Sequence, residues 1–246
     1  MKPSRALLVF TRTPEAEARA KGLSPERAAG LFAGFLDSWR RAAEEAGARL
    51  VLSSPERCAD RFRTHALGEG ATILAQAARP FGERLASAVG EVFELGFRCV
   101  SVVAGDTPAL SGGELRIVFE ALEGSAPPAV VGPSRDGGVY LIGLGSPENR
   151  ILREFSLRNP RLCAEVESAF EISGLEVLKL GVRGEVDSLA DLQRARLECD
   201  ANPAWREYGS LISGALLSGA SHGREPRSFP LFGPASTIPA RAPPAA

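Results

Sequence analysis

The sequence predicts an α/β fold: a three-layer α/β/α sandwich with a mixed, mostly parallel sheet. Three observations predict it. Seven short apolar runs alternate with segments of helical periodicity, the pattern of a sheet covered by helices. Most of those runs are nearly continuously hydrophobic, as strands buried on both faces are. With 246 residues and 44% hydrophobic content, the chain has enough apolar surface for one large α/β domain or two small ones.

The elements follow in chain order. RALLVF (5–10) is the first strand. Ser24-Pro25 then offers an N-cap and a proline at the first helical position. Ala28, Leu31, Phe32, Phe35, Leu36, Trp39, Ala43 and Ala46 continue from it at helical spacing. ARLVLS (48–53) is the second strand, and Ser54-Pro55 predicts another helix start of the same kind. ATILAQ (71–76) precedes a helix on Leu85, Ala88, Val89, Val92 and Phe93. CVSVVAG (99–105) precedes a Ser111 to Glu114 capping box and a helix through Leu115, Val118, Phe119 and Leu122. AVVGP (129–133) and VYLIGL (139–144) are joined too tightly for a crossover helix, so they form either an antiparallel hairpin or a strand and its sharply turned neighbour. Leu162, Val166 and Phe170 mark a helix, LEVLKL (175–180) the last strand, and VDSLADLQRARLE the start of a final helix. The expected organisation is one domain over residues 1–200, then a weak helix and a disordered, Pro/Gly/Ala-rich tail over 201–246.

Composition excludes several function classes. A formal charge of -1 gives no electrostatic basis for nucleic acid or an anionic membrane as partner, so an anionic ligand must be gripped by a local cluster. Cys58, Cys99, Cys163 and Cys199 lie far apart and form no CxxC, which points to buried reduced thiols rather than a zinc site or disulfide scaffold. The opening MKPSRALLVFTRTP has an apolar run too short for a signal peptide or a membrane span, and a cytoplasmic location is expected. Only His65 and His222 are available for a Ser-His-Asp or Cys-His pair, one on a predicted helix and one in the tail. Neither a GxGxxG after the first strand nor a GxxxxGK[ST] occurs.

In open α/β sheets, ligands bind beyond the carboxyl ends of the strands, so polar residues just after the apolar runs are the candidates. Asp106 follows CVSVVAG. It either caps a turn before Pro108 or is a metal ligand, a strand-end carboxylate able to bring a divalent cation to a diphosphate. GVRGEVDSLADL follows the last strand. There Asp187 or Ser188 is an N-cap with Asp191 in the first turn, or else Asp187 is a second carboxylate for the same cation, with Glu185 as its substitute. Between the two tightly joined runs, Asp136, Gly137 and Gly138 form an ordinary hairpin signal. The two glycines also let a ligand approach the backbone, and Asp136 either shapes the turn, orients a substrate hydroxyl or touches the metal shell.

Taken in order, these segments resemble a bacterial family of GT-A-type transferases, the rSAM/selenodomain-associated transferases or glycosyltransferases, long a domain of unknown function. That family is related to the nucleotide-diphospho-sugar transferases and to molybdenum-cofactor nucleotidyltransferases. The resemblance spans residues 5 to 197. VFTRTP is similar to the family's Phe-x-Lys-x-Pro, with Phe10 in place and Arg12 at the lysine position. Gln76 followed by FGERL matches a Gln and Leu/Phe-Gly-x-Arg-Leu/Met, giving Gly82 and Arg84. GDTPAL, GPSRDGGVYLIGL and EVDSLADL match the family's Asp-x-Pro-x-Leu, Asp-Gly-Gly and Asp-Val-Asp motifs. The departures lie in the first loop, TRTPEAEARAKGLSP. It is shorter than the family's, lacks an early glycine and adds Glu15 and Glu17. In addition, Glu185 replaces the first Asp of Asp-Val-Asp, and Phe155-Ser156 stands for Trp-Ser.

The resemblance implies that Asp106 and Asp187 hold Mg²⁺ or Mn²⁺ against the donor diphosphate, and that Asp106 and Asp136 are the catalytic carboxylates. Phe10, Arg12, Arg19, Lys21, Gln76, Gly82 and Arg84 are then expected on the nucleotide, and Asp136, Gly137 and Gly138 on the acceptor or sugar side. The expected activity is a metal-dependent glycosyltransferase moving a sugar from a nucleoside-diphosphate sugar to a small-molecule acceptor. The alternatives are nucleotidyl transfer to a phosphorylated or cofactor-like acceptor, and a non-catalytic nucleotide-binding protein whose altered phosphate loop (11–23) no longer supports turnover.

Overall fold

Seven strands lie where the apolar runs place them: β1 (Arg5–Phe10), β2 (Arg49–Pro55), β3 (Thr72–Gln76), β4 (Cys99–Ala104), β5 (Ala129–Pro133), β6 (Val139–Leu144) and β7 (Val177–Lys179). They form one sheet in the order β3-β2-β1-β4-β6-β5-β7. The structure is a computed structural model and describes residues 4–64, 66–156, 159–199, 201 and 203–216. Both histidines and residues 217–246, which include the stretch expected as a tail, lie outside the described residues.

The sheet is parallel except at β6, which pairs antiparallel with both β4 and β5. Of the two arrangements open for the segment around Asp136, the structure therefore has the hairpin. The turn closes through Ser134 N–H to Gly138 O at 2.9 Å and Gly137 N–H to Ser134 O at 3.2 Å. Gly137 has φ +91°, and a Cβ there would lie 2.1 Å from Pro160 O, so only glycine fits.

The helices are α1 (Pro14–Ala20), α2 (Pro25–Glu45), α3 (Glu56–Thr64), α4 (Phe81–Glu94), α5 (Gly112–Leu122), α6 (Asn149–Leu152), α7 (Leu162–Ile172), α8 (Leu189–Glu198), α9 (Pro203–Arg206) and α10 (Gly209–Leu216). The Ser111 to Glu114 capping box forms as expected, with both reciprocal bonds. Ser24 precedes α2 as expected, but its hydroxyl donates to Glu26 at 2.7 Å instead of accepting a backbone N–H. Ser54-Pro55 is not a helix start. Both residues remain in β2, paired with Ala75 and Gln76, and α3 begins at Glu56, because parallel pairing with β3 outweighs the local cap signal.

Helices cover both faces of the sheet. On one face α4 and α7 bury Leu85, Val89, Val92, Val166 and Phe170 against β1, β4 and β6. On the other, α2 and α5 bury Trp39, Leu115 and Phe119. A third core lies beside the sheet. It joins Ala18 and Leu23 to Phe32 and Phe35 of α2, Val186, Leu192 of α8, Trp205 of α9, Tyr208 in the turn after it and Ile212 of α10. Packing thus continues through Leu216, and the weak helix expected near the C-terminus is a pair of short helices, α9 and α10. Among the described residues, no helix is long and apolar enough to cross a membrane.

Candidate functional site

Because β1, β3, β4, β5 and β7 run in one direction, their carboxyl ends share one edge of the sheet. Arg12 follows β1, Gln76 ends β3, Asp106 follows β4, Asp136 sits in the turn after β5, and Glu185 and Asp187 follow β7. Backbone hydrogen bonds tie these segments together: Gly105 N–H to Phe10 O at 3.3 Å, Val186 N–H to Asp106 O at 3.0 Å, and Arg135 N–H to Arg183 O at 3.0 Å. The buried Trp39 indole adds Nε1–H to Thr107 O at 3.1 Å. Carboxylates far apart in sequence are thereby held on a rigid frame.

Asp106 and Asp187 converge on one cation, and it is an ammonium. Lys21 Nζ donates to Asp106 Oδ2 at 2.5 Å and to Asp187 Oδ1, and lies 3.7 Å from Glu17. Burial by itself lowers the Lys21 pKa, but Asp106, Asp187 and Glu17 outweigh it and raise the pKa above the ordinary lysine value. The turn-cap reading of Asp106 does not describe its side chain, whose other oxygen, Oδ1, is buried without a hydrogen-bond partner. The N-cap of α8 is Ser188, whose Oγ accepts Asp191 N–H at 3.3 Å, so capping does not consume Asp187. Asp136 does shape its turn: Oδ1 accepts from Ser134 Oγ–H at 2.7 Å and Gly138 N–H at 3.0 Å.

Asp136 also belongs to the acidic cluster. Carboxylate oxygens of Asp136, Glu185 and Asp187 lie within 4.8 Å of one another. Burial, reinforced by Asp106, Asp187 and Asp136, pushes the Glu185 carboxyl well above the usual carboxylate range. Asp106 and Asp187 already share the single Lys21 ammonium, and Asp136 and Glu185 crowd the same corner, which disfavours ionisation of Glu185. Asp136, Glu185 and Asp187 form an all-oxygen set of the kind that suits a hard divalent cation such as Mg²⁺ or Mn²⁺, and Asp106, with its unpartnered Oδ1, stands beside it, linked to Asp187 through Lys21.

The carboxylates border a cavity of about 270 Å³ whose far wall is apolar and aromatic, with Phe10, Phe81, Phe155 and Leu162. Gln76 and Arg84 form its polar floor: Arg84 donates to Gln76 Oε1 at 2.5 Å, and Gln76 Nε2–H donates to Ser53 O at 2.8 Å. Arg84 lies over the Phe10 and Phe81 rings at 5.5 and 5.9 Å, and burial, aided by Arg12, pushes its pKa down to about 10. Arg12 lines the same cavity but is held by Glu17, with Nη1 3.1 Å from both carboxylate oxygens. A larger cavity of about 410 Å³ beside α5 and β7 contains none of the four carboxylates.

The structure thus brings together Phe10, Arg12, Lys21, Gln76, Arg84, Asp106, Asp136, Gly138 and Asp187 around one cavity. Arg19 is exposed on α1, away from that wall. Gly82 serves packing: a Cβ there would lie 2.3 Å from Arg153 O, so glycine lets α4 approach the segment after α6. Two participants lacked a decisive sequence signal. Glu17 is buried between Arg12 and Lys21, and its i,i+4 spacing to Lys21 was the available hint. Phe81 opens the FGERL motif, but its place in the aromatic wall, from the first turn of α4, shows only in three dimensions.

Comparison with known proteins locates this arrangement. Residues 38–157 match a family model described as an uncharacterized protein conserved in bacteria (DUF2064). No curated protein matches the chain. A structure from Desulfovibrio desulfuricans G20, described as a candidate nucleotide-diphospho-sugar transferase, is similar with TM-score 0.70 and 22% identity over 85% of this chain and 97% of the other. Rv0371c from Mycobacterium tuberculosis H37Rv in complex with manganese gives TM-score 0.53 and 19% identity over 79% of this chain and 98% of the other. A cytidylyltransferase from Leptospira borgpetersenii serovar Hardjo-bovis gives 0.54 and 11% over 89% and 99%. With its mostly parallel seven-stranded sheet and the single reversed strand, the chain has the nucleotide-diphospho-sugar transferase fold.

Proposed function

We propose that the protein is a metal-dependent transferase that moves a sugar from a nucleoside-diphosphate sugar to a small-molecule acceptor. The observation that carries this reading is the convergence of Asp106, Asp136, Glu185 and Asp187 at the strand ends, beside an aromatic cavity floored by Gln76 and Arg84. The similarity to a candidate nucleotide-diphospho-sugar transferase over most of the chain supports it. In this reading Asp106 and Asp187, with Glu185 beside them, hold Mg²⁺ or Mn²⁺, which supplies charge neutralisation for a departing diphosphate. Phe10 and Gln76 face the nucleoside, and Arg12 and Lys21 are the cations nearest its phosphates. Asp136, fixed by Ser134 and Gly138, orients the acceptor hydroxyl. The acceptor oxygen bonds to the sugar's anomeric carbon as its hydroxyl proton passes to the Asp136 carboxylate, the bond from that carbon to the diphosphate oxygen breaks and the nucleoside diphosphate leaves, and positioning accounts for much of the rate.

Nucleotidyl transfer is the second reading, favoured by the similarity to a cytidylyltransferase over 89% of this chain. The same carboxylates serve it, with pyrophosphate as the leaving group. Supplying UDP-, GDP- and CDP-sugars and, separately, nucleoside triphosphates with Mn²⁺ distinguishes the two: released nucleoside diphosphate supports sugar transfer, and released pyrophosphate supports nucleotidyl transfer. Calorimetry that detects no nucleotide in either class, with or without Mn²⁺, refutes both.

A further inference from the structure

Lys21 occupies the position between Asp106 and Asp187 that the metal reading assigns to a divalent cation. Its Nζ is 2.5 Å from Asp106 Oδ2 and hydrogen-bonded to Asp187 Oδ1, contacts that span 85 and 166 residues of sequence. A dication bridging the two carboxylates would have to sit where the Lys21 ammonium sits, between Asp106 and Asp187, and two positive centres that close repel strongly.

Resting on the metal reading above, we propose that the Lys21 bridge is an interlock: a divalent cation reaches Asp106 and Asp187 only by displacing the Lys21 ammonium. The surroundings suit such an exchange. Lys21 follows α1 directly, and the backbone around it is anchored, with Ala18 and Leu23 buried in the third core, so the movement falls to the flexible four-carbon side chain. A partner is already at hand for the displaced ammonium, since the buried Glu17 carboxylate lies 3.7 Å away and also holds Arg12. Displacement therefore leaves Lys21 one of its three carboxylate neighbours. It also frees the ammonium beside the cavity that the donor is proposed to enter.

The test is Mn²⁺ affinity, read from the electron paramagnetic resonance of free Mn²⁺, for the wild type, Lys21→Met and Lys21→Arg, each checked for native circular dichroism. Lys21→Met is expected to bind Mn²⁺ at least about tenfold more tightly than the wild type, and Lys21→Arg no more tightly. A second readout uses the wild type alone. The chain has three lysines, Lys2, Lys21 and Lys179, and acetylation of each can be followed by peptide mass spectrometry. Saturating Mn²⁺ is expected to raise the modification rate of Lys21 severalfold while Lys179, on β7, stays constant. If the wild type binds Mn²⁺ and Lys21→Met binds it equally or more weakly, or if Lys21 labelling does not rise, the interlock is overturned while the metal site stands. If none of the three proteins binds Mn²⁺, the metal reading itself fails and the interlock with it.

Discussion

Replacing Asp106 with Asn separates metal binding from folding. Asn keeps the volume and can still accept a hydrogen bond from Lys21, which retains Asp187 and Glu17 as ionic neighbours. The second oxygen position is buried and unpartnered in the native protein, and an amide N–H placed there is equally unpartnered, so that cost nearly cancels. Loss of one charged hydrogen bond is further offset by relief of repulsion among the four carboxylates. The metal-free variant is therefore expected within about 1 kcal/mol of the wild type. Mn²⁺ at about 100 times its wild-type Kd adds about 2.7 kcal/mol by linkage, or about 5–11 °C in Tm for a domain of this size. A variant bound about 100-fold more weakly gains about 0.4 kcal/mol at the same concentration, or about 1–2 °C. Differential scanning calorimetry with and without Mn²⁺ measures both quantities. A Tm rise in Asp106→Asn equal to the wild-type rise would refute the ligand role. A metal-free Tm more than about 10 °C below the wild type would refute the claim that the carboxylate is dispensable to the fold.

Two further outcomes follow from packing and charge. Trp205 is 3% exposed, with its ring 6.1 Å from that of Phe35, so Trp205→Ala is expected to cost about 3–5 kcal/mol in urea unfolding; an unchanged midpoint would mean that α9 is not part of the core. Glu123 accepts from Arg5 Nε–H at 2.8 Å and Nη2–H at 2.6 Å, and this holds its carboxyl below the usual carboxylate range. A depressed folded-state pKa contributes stability above the unfolded pKa and loses it as pH falls through the folded value. The Tm advantage of the wild type over Glu123→Gln should therefore be full at pH 6 and shrink below about pH 4. A pH-independent difference would show that the pair is not the cause.

Elements were legible wherever local periodicity and burial agree. β1 after Arg5, and β4 apart from Ser101, are apolar because both faces are covered, and α2 carries its apolar residues on the side that packs. The signal failed where a local rule met a stronger long-range partner, as at Ser54-Pro55, where pairing with β3 extends the strand. The WREYGSLISGALL segment read only as one weak helix, because Trp205, Tyr208 and Ile212 gain their burial from α2 and α8 rather than from each other.

The alternation of apolar runs with helical patterns was enough to determine the α/β class and to place Asp106, Asp136 and Asp187 at the ends of strands. Which carboxylates share a cation, and which merely shape a turn or a cap, was decided by tertiary structure. Ser188 rather than Asp187 caps α8, Asp136 both shapes its turn and joins the cluster, and Lys21 reaches across 85 and 166 residues to Asp106 and Asp187. Propensity and capping act over a few residues, whereas an ion pair depends only on distance in space, and that distance is set by the packing of the sheet.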